Sequence, residues 1–295
     1  MITPQMVKEL REITGCGMMD CKKALSETNG DMDKAIEFLR EKGLAAAEKK
    51  AGRIAAEGIV SDYICDGVGV IIEVNSETDF VGKNADFQTF VKDLAEIVAK
   101  ENPADVDALL KLAYKESGMT VEEMLRDKIL TIGENMTIRR FERCEGAVAT
   151  YIHGGGRIGV LVQAENALEG EAYDAARDVA MQIAAINPTY LDKSTVPAED
   201  IEKEKAILIA QIKNDPKSAG KPDQIIEKMV LGRIGKFYTT NCLNQQEFVK
   251  DDEKTVEQYL SSKGVKLVKF VRFEKGEGLE KKVDIFAEEV ANMSK

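Results

Sequence analysis

The chain has no tryptophan, a single histidine (His153) and only six prolines. No apolar run approaches the roughly 18 residues that a membrane span requires, so no membrane partner is expected. A basic excess is also missing. The formal net charge is −11, and neutralising a phosphate backbone needs a basic face, so nucleic acid is not expected as the main partner. The notable basic clusters, Lys49-Lys50 with Arg53 and Arg139-Arg140 with Arg143, are small and flanked by glutamates, which reads as solvated surface. Five cysteines (Cys16, Cys21, Cys65, Cys144, Cys242) are scattered without a Cys-x-x-Cys pair. With one histidine, a zinc site lacks ligands at sensible spacing, so reduced, buried thiols and no metal or cofactor are expected. The first residues carry neither an apolar signal core nor an arginine-rich transit extension, and cytoplasm is the expected location.

What is present fits a globular chain. Of 295 residues, 44% are apolar and 32% charged, enough for two or three domains with cores of their own. Thr3-Pro4 predicts a helix N-terminus, and Val7, Leu10 and Ile13 give that helix an apolar face. Gly15-Cys-Gly17 breaks it, a second helix runs from about Met18 to Glu27, and Asn29-Gly30 turns the chain. Asp31 caps a third helix expected to stop at Gly43. Residues 1–43 thus read as a three-helix domain and 44–57 as a helical spacer. Met18 and Met19 are neighbours on a helix and point about 100° apart, so one of them is expected to be exposed.

The rest is one unit used twice. Gly58-Ile-Val-Ser-Asp-Tyr63 recurs as Gly146-Ala-Val-Ala-Thr-Tyr151, and Gly69-Val-Ile-Ile72 as Gly159-Val-Leu-Val162. Asp93 to Pro103 recurs as Asp178 to Pro188, and Thr120 to Leu125 as Thr255 to Leu260. Arg140-Phe-Glu-Arg-Cys-Glu-Gly146 is matched to Arg272-Phe-Glu-Lys-Gly-Glu-Gly278. Ordered matches of this kind mark a structural repeat. Each copy reads strand, turn, strand, helix, helix, strand, which predicts an α+β fold with antiparallel sheets and helices on one face. The copies span 58–145 and 146–278. The second carries a helical-hairpin insertion at about 197–236, and residues 279–295 read as a final helix with Ile285, Phe286 and Val290 on one face.

Glu73 to Val81 holds the most informative residue. An apolar strand runs into polar residues expected at the surface, and the bare Phe80 follows Asp79. An exposed ring there is a probe for a partner's pocket, since fully burying it is worth roughly 1.5–3 kcal/mol. Extending the strand register from Gly159 places Glu169 opposite Asp79 and Gly170 opposite Phe80, so the scaffold does not demand the aromatic. Asp79 is expected to hold the turn, for instance as a helix cap.

His153 to Gly159 contains a literal G-x-G-x-x-G. The dinucleotide fingerprint needs a helix after it, whereas Val160-Leu-Val162 continues as a strand, so 154–159 reads as a hairpin turn. His153 at its tip suits either partner contact or a hydrogen bond that fixes the turn.

Together these residues resemble a known family over essentially the whole chain. Leu10-Arg-Glu-Ile-Thr-Gly-Cys-Gly-Met-Met-Asp-Cys-Lys-Lys-Ala-Leu25 is similar to the N-terminal signature of the elongation factor Ts family. Glu73 to Lys83, built around Thr-Asp-Phe-Val, is similar to its second signature. Gly82 departs from the family's usual alanine or serine and is expected to loosen the turn. The resemblance implies a ubiquitin-associated-like N-terminal domain and a guanine-nucleotide exchange factor, not an enzyme, for elongation factor Tu. It implies that Thr78, Asp79, Phe80 and Val81 act beside that partner's Mg²⁺ site. Arg11, Met18, Met19, His153 and Gly154 would make further contacts, and the helical hairpin is a candidate contact for a larger complex. Two alternatives stand beside it: an enzyme using the glycine-rich turn, and a GTPase-binding adaptor without exchange activity.

Overall fold

Thr3 and Pro4 start the first helix as their chemistry requires. In a computed structural model, which describes residues 2–216 and 221–280, the Thr3 hydroxyl accepts the Met6 amide and α1 runs over Pro4–Thr14. Gly15 (φ 65°) ends it. Helices α2 (Met18–Glu27) and α3 (Met32–Lys50) follow, the latter capped by Asp31. Leu10, Cys21, Leu25, Ala35 and Leu39 bury together between the three.

The third helix does not stop at Gly43, and the expected spacer 44–57 is helical only in its first half. The helix continues to Lys50, and residues 51–56 are non-helical. The cause is tertiary. Gly43 packs on Leu130 of a later helix, and the Lys50 ammonium donates to the Ile129 carbonyl at 3.1 Å. A helical glycine costs about 1 kcal/mol against alanine, and docking offsets that cost.

The first copy comprises β1 (Glu57–Cys65), β2 (Val68–Ser76), the single turn α4 (Asp79–Gly82), α5 (Ala85–Glu101), α6 (Val106–Leu110), α7 (Val121–Ile132) and β3 (Met136–Glu145). The second comprises β4 (Ala147–His153), β5 (Ile158–Ala164), α8 (Glu171–Ile186), the hairpin α9 (Ala198–Asn214) and α10 (Asp223–Asn241), a β6 (Glu247–Phe248) and β7 (Asp251–Thr255) ribbon, α11 (Val256–Ser262) and β8 (Leu267–Glu274). Both main sheets are antiparallel, in the orders β1-β2-β3 and β4-β5-β8. The fold is α+β. Phe87, Phe90, Val91, Leu94 and Val98 of α5 are fully buried against the first sheet, and α8 covers the second.

The opposite faces of the two sheets pack on each other through Val60, Ile71 and Cys144 on one side and Val148, Leu161 and Phe273 on the other. The repeated Gly69 and Gly159 permit this close approach, because a side chain on Gly159 would overlap Val60, and one on Gly69 would come within 2.9 Å of Leu161.

Glu73 ties the copies together. Its carboxylate is fully buried and accepts from Arg139 at 2.9 Å, Arg140 at 2.6 Å, Asn75 at 3.1 Å and the Gly276 amide at 2.8 Å. The cluster Arg139, Arg140, Arg143 is therefore not solvated surface. Arg140 also lies 4.3 Å from the Phe273 ring centroid, and Arg143 donates to the Ala99 carbonyl at 3.1 Å. Cys16, Cys21, Cys144 and Cys242 are buried free thiols, whereas Cys65 is half-buried.

The repeat is real, but two of its alignments differ from the sequence reading. Val70 pairs with Arg143 and Val160 with Arg272, and both central strands bulge at the same step, Glu73/Val74 and Gln163/Ala164. Arg143, not Arg140, is thus the partner of Arg272, and strand pairing outranks the local letter match. Second, Gly69 and Gly159 stand 90 positions apart, whereas Asn102 and Asn187, the left-handed caps of α5 and α8, stand only 85 apart. The first copy carries five extra residues between strand and helix, and these form the α4 turn. Phe80 has no counterpart at Gly170, which instead caps α8 directly.

Helices α9 and α10 bury Leu208, Ile212, Ile226, Val230 and Ile234 against each other. The expected helix carrying Ile285, Phe286 and Val290 lies outside the described residues.

Candidate functional site

The inserted turn is short, polar at its base and fixed at several points. Asn75 and Ser76, expected at the surface, are buried. Asn75 donates to the Glu57 carbonyl at 2.9 Å, and Ser76 donates to the Thr78 carbonyl at 2.9 Å. Glu77 accepts the Asn135 amide at 2.6 Å. Thr78 donates through its amide and hydroxyl to Glu134 at 2.9 and 2.6 Å. Burying these groups is offset by the bonds their donors make, although the Asn75 Oδ1 has no hydrogen-bond partner among the described residues. Beyond the turn, Asn84 caps α5 by accepting the Asp86 and Phe87 amides.

Between these fixings Val81 points inward and Phe80 outward. Val81 is only 5% exposed and joins the first-copy core. It anchors the turn and is not available as a contact. Phe80 is 76% exposed. Asp79 is not the cap, since Thr78 holds that position without a side-chain bond. Asp79 instead pairs with Lys83 at 2.6 Å, and that hydrogen bond holds its carboxyl below the ordinary value. The Lys83 ammonium lies 5.6 Å from the Phe80 ring centroid, within cation–π range. Gly82 does not loosen the turn. A methyl there would come within 2.9 Å of the Gly58 carbonyl oxygen and 3.3 Å of Ile59, so its absence lets the turn seat on β1.

The hairpin tip meets the same strand. Gly154, Gly155 and Gly156 take φ of 59°, 64° and 95°, and β5 follows them. The tip is a turn between strands, so no helix N-terminus faces it as a dinucleotide fold would require. A methyl on Gly156 would sit 2.8 Å from the Ile59 Cβ, and the Gly156 carbonyl accepts the Val60 amide at 2.7 Å. Gly82 and Gly156 thus flank Ile59, and the Phe80 turn and the His153 tip rise from one base. His153 is exposed, with its Nδ1 3.0 Å from the Tyr151 hydroxyl.

Arg11, Met18 and Met19 form a separate cluster on α1 and α2. Met18 and Met19 are 60% and 75% exposed, so both methionines, not one, face outward. With Ile2, Pro4 and Val7 they line a groove of about 710 Å³. Sequence reasoning missed Glu134, because nothing near Gly133-Glu134 signals a contact 56 residues away.

Among the described residues, no group of three or more histidine, cysteine, aspartate or glutamate side chains could hold a metal ion. None of their helices is long and apolar enough to cross a membrane.

The family model described as elongation factor TS matches residues 77–277. A relative from Clostridium kluyveri named elongation factor Ts is 54% identical over 303 aligned positions, covering 98% of each chain. Another of that name, from Clostridium perfringens, is 53% identical over 308 positions and 99% of each chain. Both matches run through the repeat, the inserted turn and the N-terminal helices, and the chain therefore belongs to the elongation factor Ts family of translation elongation factors.

Proposed function

We propose that this chain is a guanine-nucleotide exchange factor for the GTPase elongation factor Tu, acting in the bacterial cytoplasm and not as an enzyme. One observation carries the reading: Phe80 is three-quarters exposed on a turn that the repeat does not need and that Glu134, Val81 and Gly82 hold fixed. A preorganised ring loses little freedom on docking, so most of its burial energy is available to the complex.

The ring enters beside the partner's Mg²⁺ site and stabilises a state in which the ion is displaced and GDP is weakly held. Thr78 and Val81 fix the turn from within, and Asp79 restrains Lys83. Met18, Met19 and Arg11 dock the N-terminal helices on the same partner, and His153 with Gly154 makes a second contact from the common base. Linkage sets the cycle: if this protein lowers GDP affinity by some factor, GDP lowers this protein's affinity by the same factor. Nucleotide rebinding then releases it, and cellular GTP excess sets the direction.

Stopped-flow release of a fluorescent GDP analogue from elongation factor Tu, with and without this chain, tests the proposal. Faster release is expected. Binding without acceleration would leave only an adaptor.

A further inference from the structure

The two copies differ beside the hairpin tip. In the first, Lys100 and Glu96 of α5 pair at 2.7 Å, close enough for their charges to act on the Tyr63 hydroxyl. The matching positions on α8, 85 residues further on, are Ala185 and Met181. Their small or uncharged side chains leave a cleft of about 360 Å³ lined by Tyr151, His153, Arg157, Met181, Arg272 and Glu274.

Arg272 is built into its wall. Its side chain is 8% exposed and donates to Glu274 at 2.8 Å and to the Ala184 carbonyl at 3.5 Å, with Glu277 at 3.9 Å. In the first copy the Nε of the equivalent Arg143 donates to Ala99, the residue matching Ala184. The Arg272 Nε is buried and has no hydrogen-bond partner among the described residues. The guanidinium is otherwise held by Glu274, Ala184 and Glu277, and a buried donor left without an acceptor is costly. Arg157, 66% exposed at the rim, reaches the same Glu274 at 3.4 Å. The lining therefore sets two guanidiniums around the Glu274 carboxylate that they share, with Glu277 reaching Arg272 from outside the lining, in a chain of net charge −11.

We propose that this cleft receives a carboxylate: an aspartate or glutamate side chain of the GTPase partner seats between Arg157 and Arg272, beside His153. Planar guanidiniums match a carboxylate with paired hydrogen bonds, which favours this occupant over a point contact. The identity of the partner rests on the exchange-factor reading; the anion site does not.

Two arms test it on the full chain. The single histidine gives one set of imidazole NMR signals, so His153 reports the cleft directly. Acetate should shift those signals saturably in the native chain and not after Met181→Glu with Ala185→Lys, which rebuilds the ion pair of the first copy. No saturable shift, or a response to inorganic phosphate alone, would overturn the carboxylate assignment. In the exchange assay, the double variant and separately Arg157→Ser should raise the concentration for half-maximal GDP release about tenfold or more. Unchanged half-saturation in both, with the native chain still accelerating release, would sink the cleft and spare the exchange reading. A native chain that does not accelerate release would instead remove the exchange reading, and with it this partner.

Discussion

The Val60 amide donates to the Gly156 carbonyl at 2.7 Å, so the hairpin tip of the second copy is bonded to the first strand of the first copy. Ile59, the neighbour of Val60, is also the seat of Gly82 beneath the Phe80 turn. One strand segment thus sets the spacing between Phe80 and His153, and a change there should be felt at both.

Gly156→Ala should separate them. The substitution places a methyl 2.8 Å from the Ile59 Cβ at a residue with φ of 95°, a combination of overpacking and strain that costs about 1–3 kcal/mol. Gly155→Ala is the control: its φ is 64° with nothing within 4 Å of the added methyl, so it should cost about 1 kcal/mol less or better. Calorimetric melting of both variants checks this, and equal losses would mean that the contact with Ile59 does not matter.

Glu73→Gln should be among the most damaging single changes away from the core. It leaves Arg139 and Arg140 facing a neutral group at a fully buried position, and removing one partner of a buried ion pair typically costs about 3–5 kcal/mol. Chemical denaturation measures it. A loss below about 1 kcal/mol would show that water reaches the site.

Acid should weaken the first copy through Glu96. Hydrogen bonds from Lys100 and then Lys115 lower its carboxyl from the ordinary 4.5 to about 2. The folded value lies below the unfolded one, so the contribution is complete above pH 4.5 and is lost as pH falls toward 2. Glu96→Gln should flatten the stability profile within that window and leave it unchanged above. An identical acid limb in the variant would rule Glu96 out.

The helices were readable because their signals are local. Thr3-Pro4 and Asp31 act within three residues of themselves. The repeat was readable for the same reason in its first four matches. What escaped depends on distant partners. Asn75 and Ser76 look like surface until the strand register buries them, and Gly43 looks like a stop until Leu130 packs on it. Arg140 and Arg143 exchange places once strand pairing replaces letter matching. At the site, the exposure of Phe80 is legible in the sequence, but five inserted residues leave no mark in either flanking motif, so Gly170 looks like its counterpart.

Met18 and Met19 should matter for docking alone. Replacing both with alanine removes two exposed side chains from the α1–α2 groove, so thermal stability should hold while half-maximal GDP release needs more protein. A fall in melting temperature of many degrees would place one of them in the core.

Phe80→Ala tests the central claim. The ring is 76% exposed in the free chain, so the variant should melt with the native protein. If the roughly 1.5–3 kcal/mol of ring burial acts on the exchange-competent state, GDP release from elongation factor Tu should slow by about ten- to more than a hundredfold, at 1.36 kcal/mol per tenfold. Stopped-flow release by a variant with native stability gives the answer. A rate equal to that of the native chain would contradict the account.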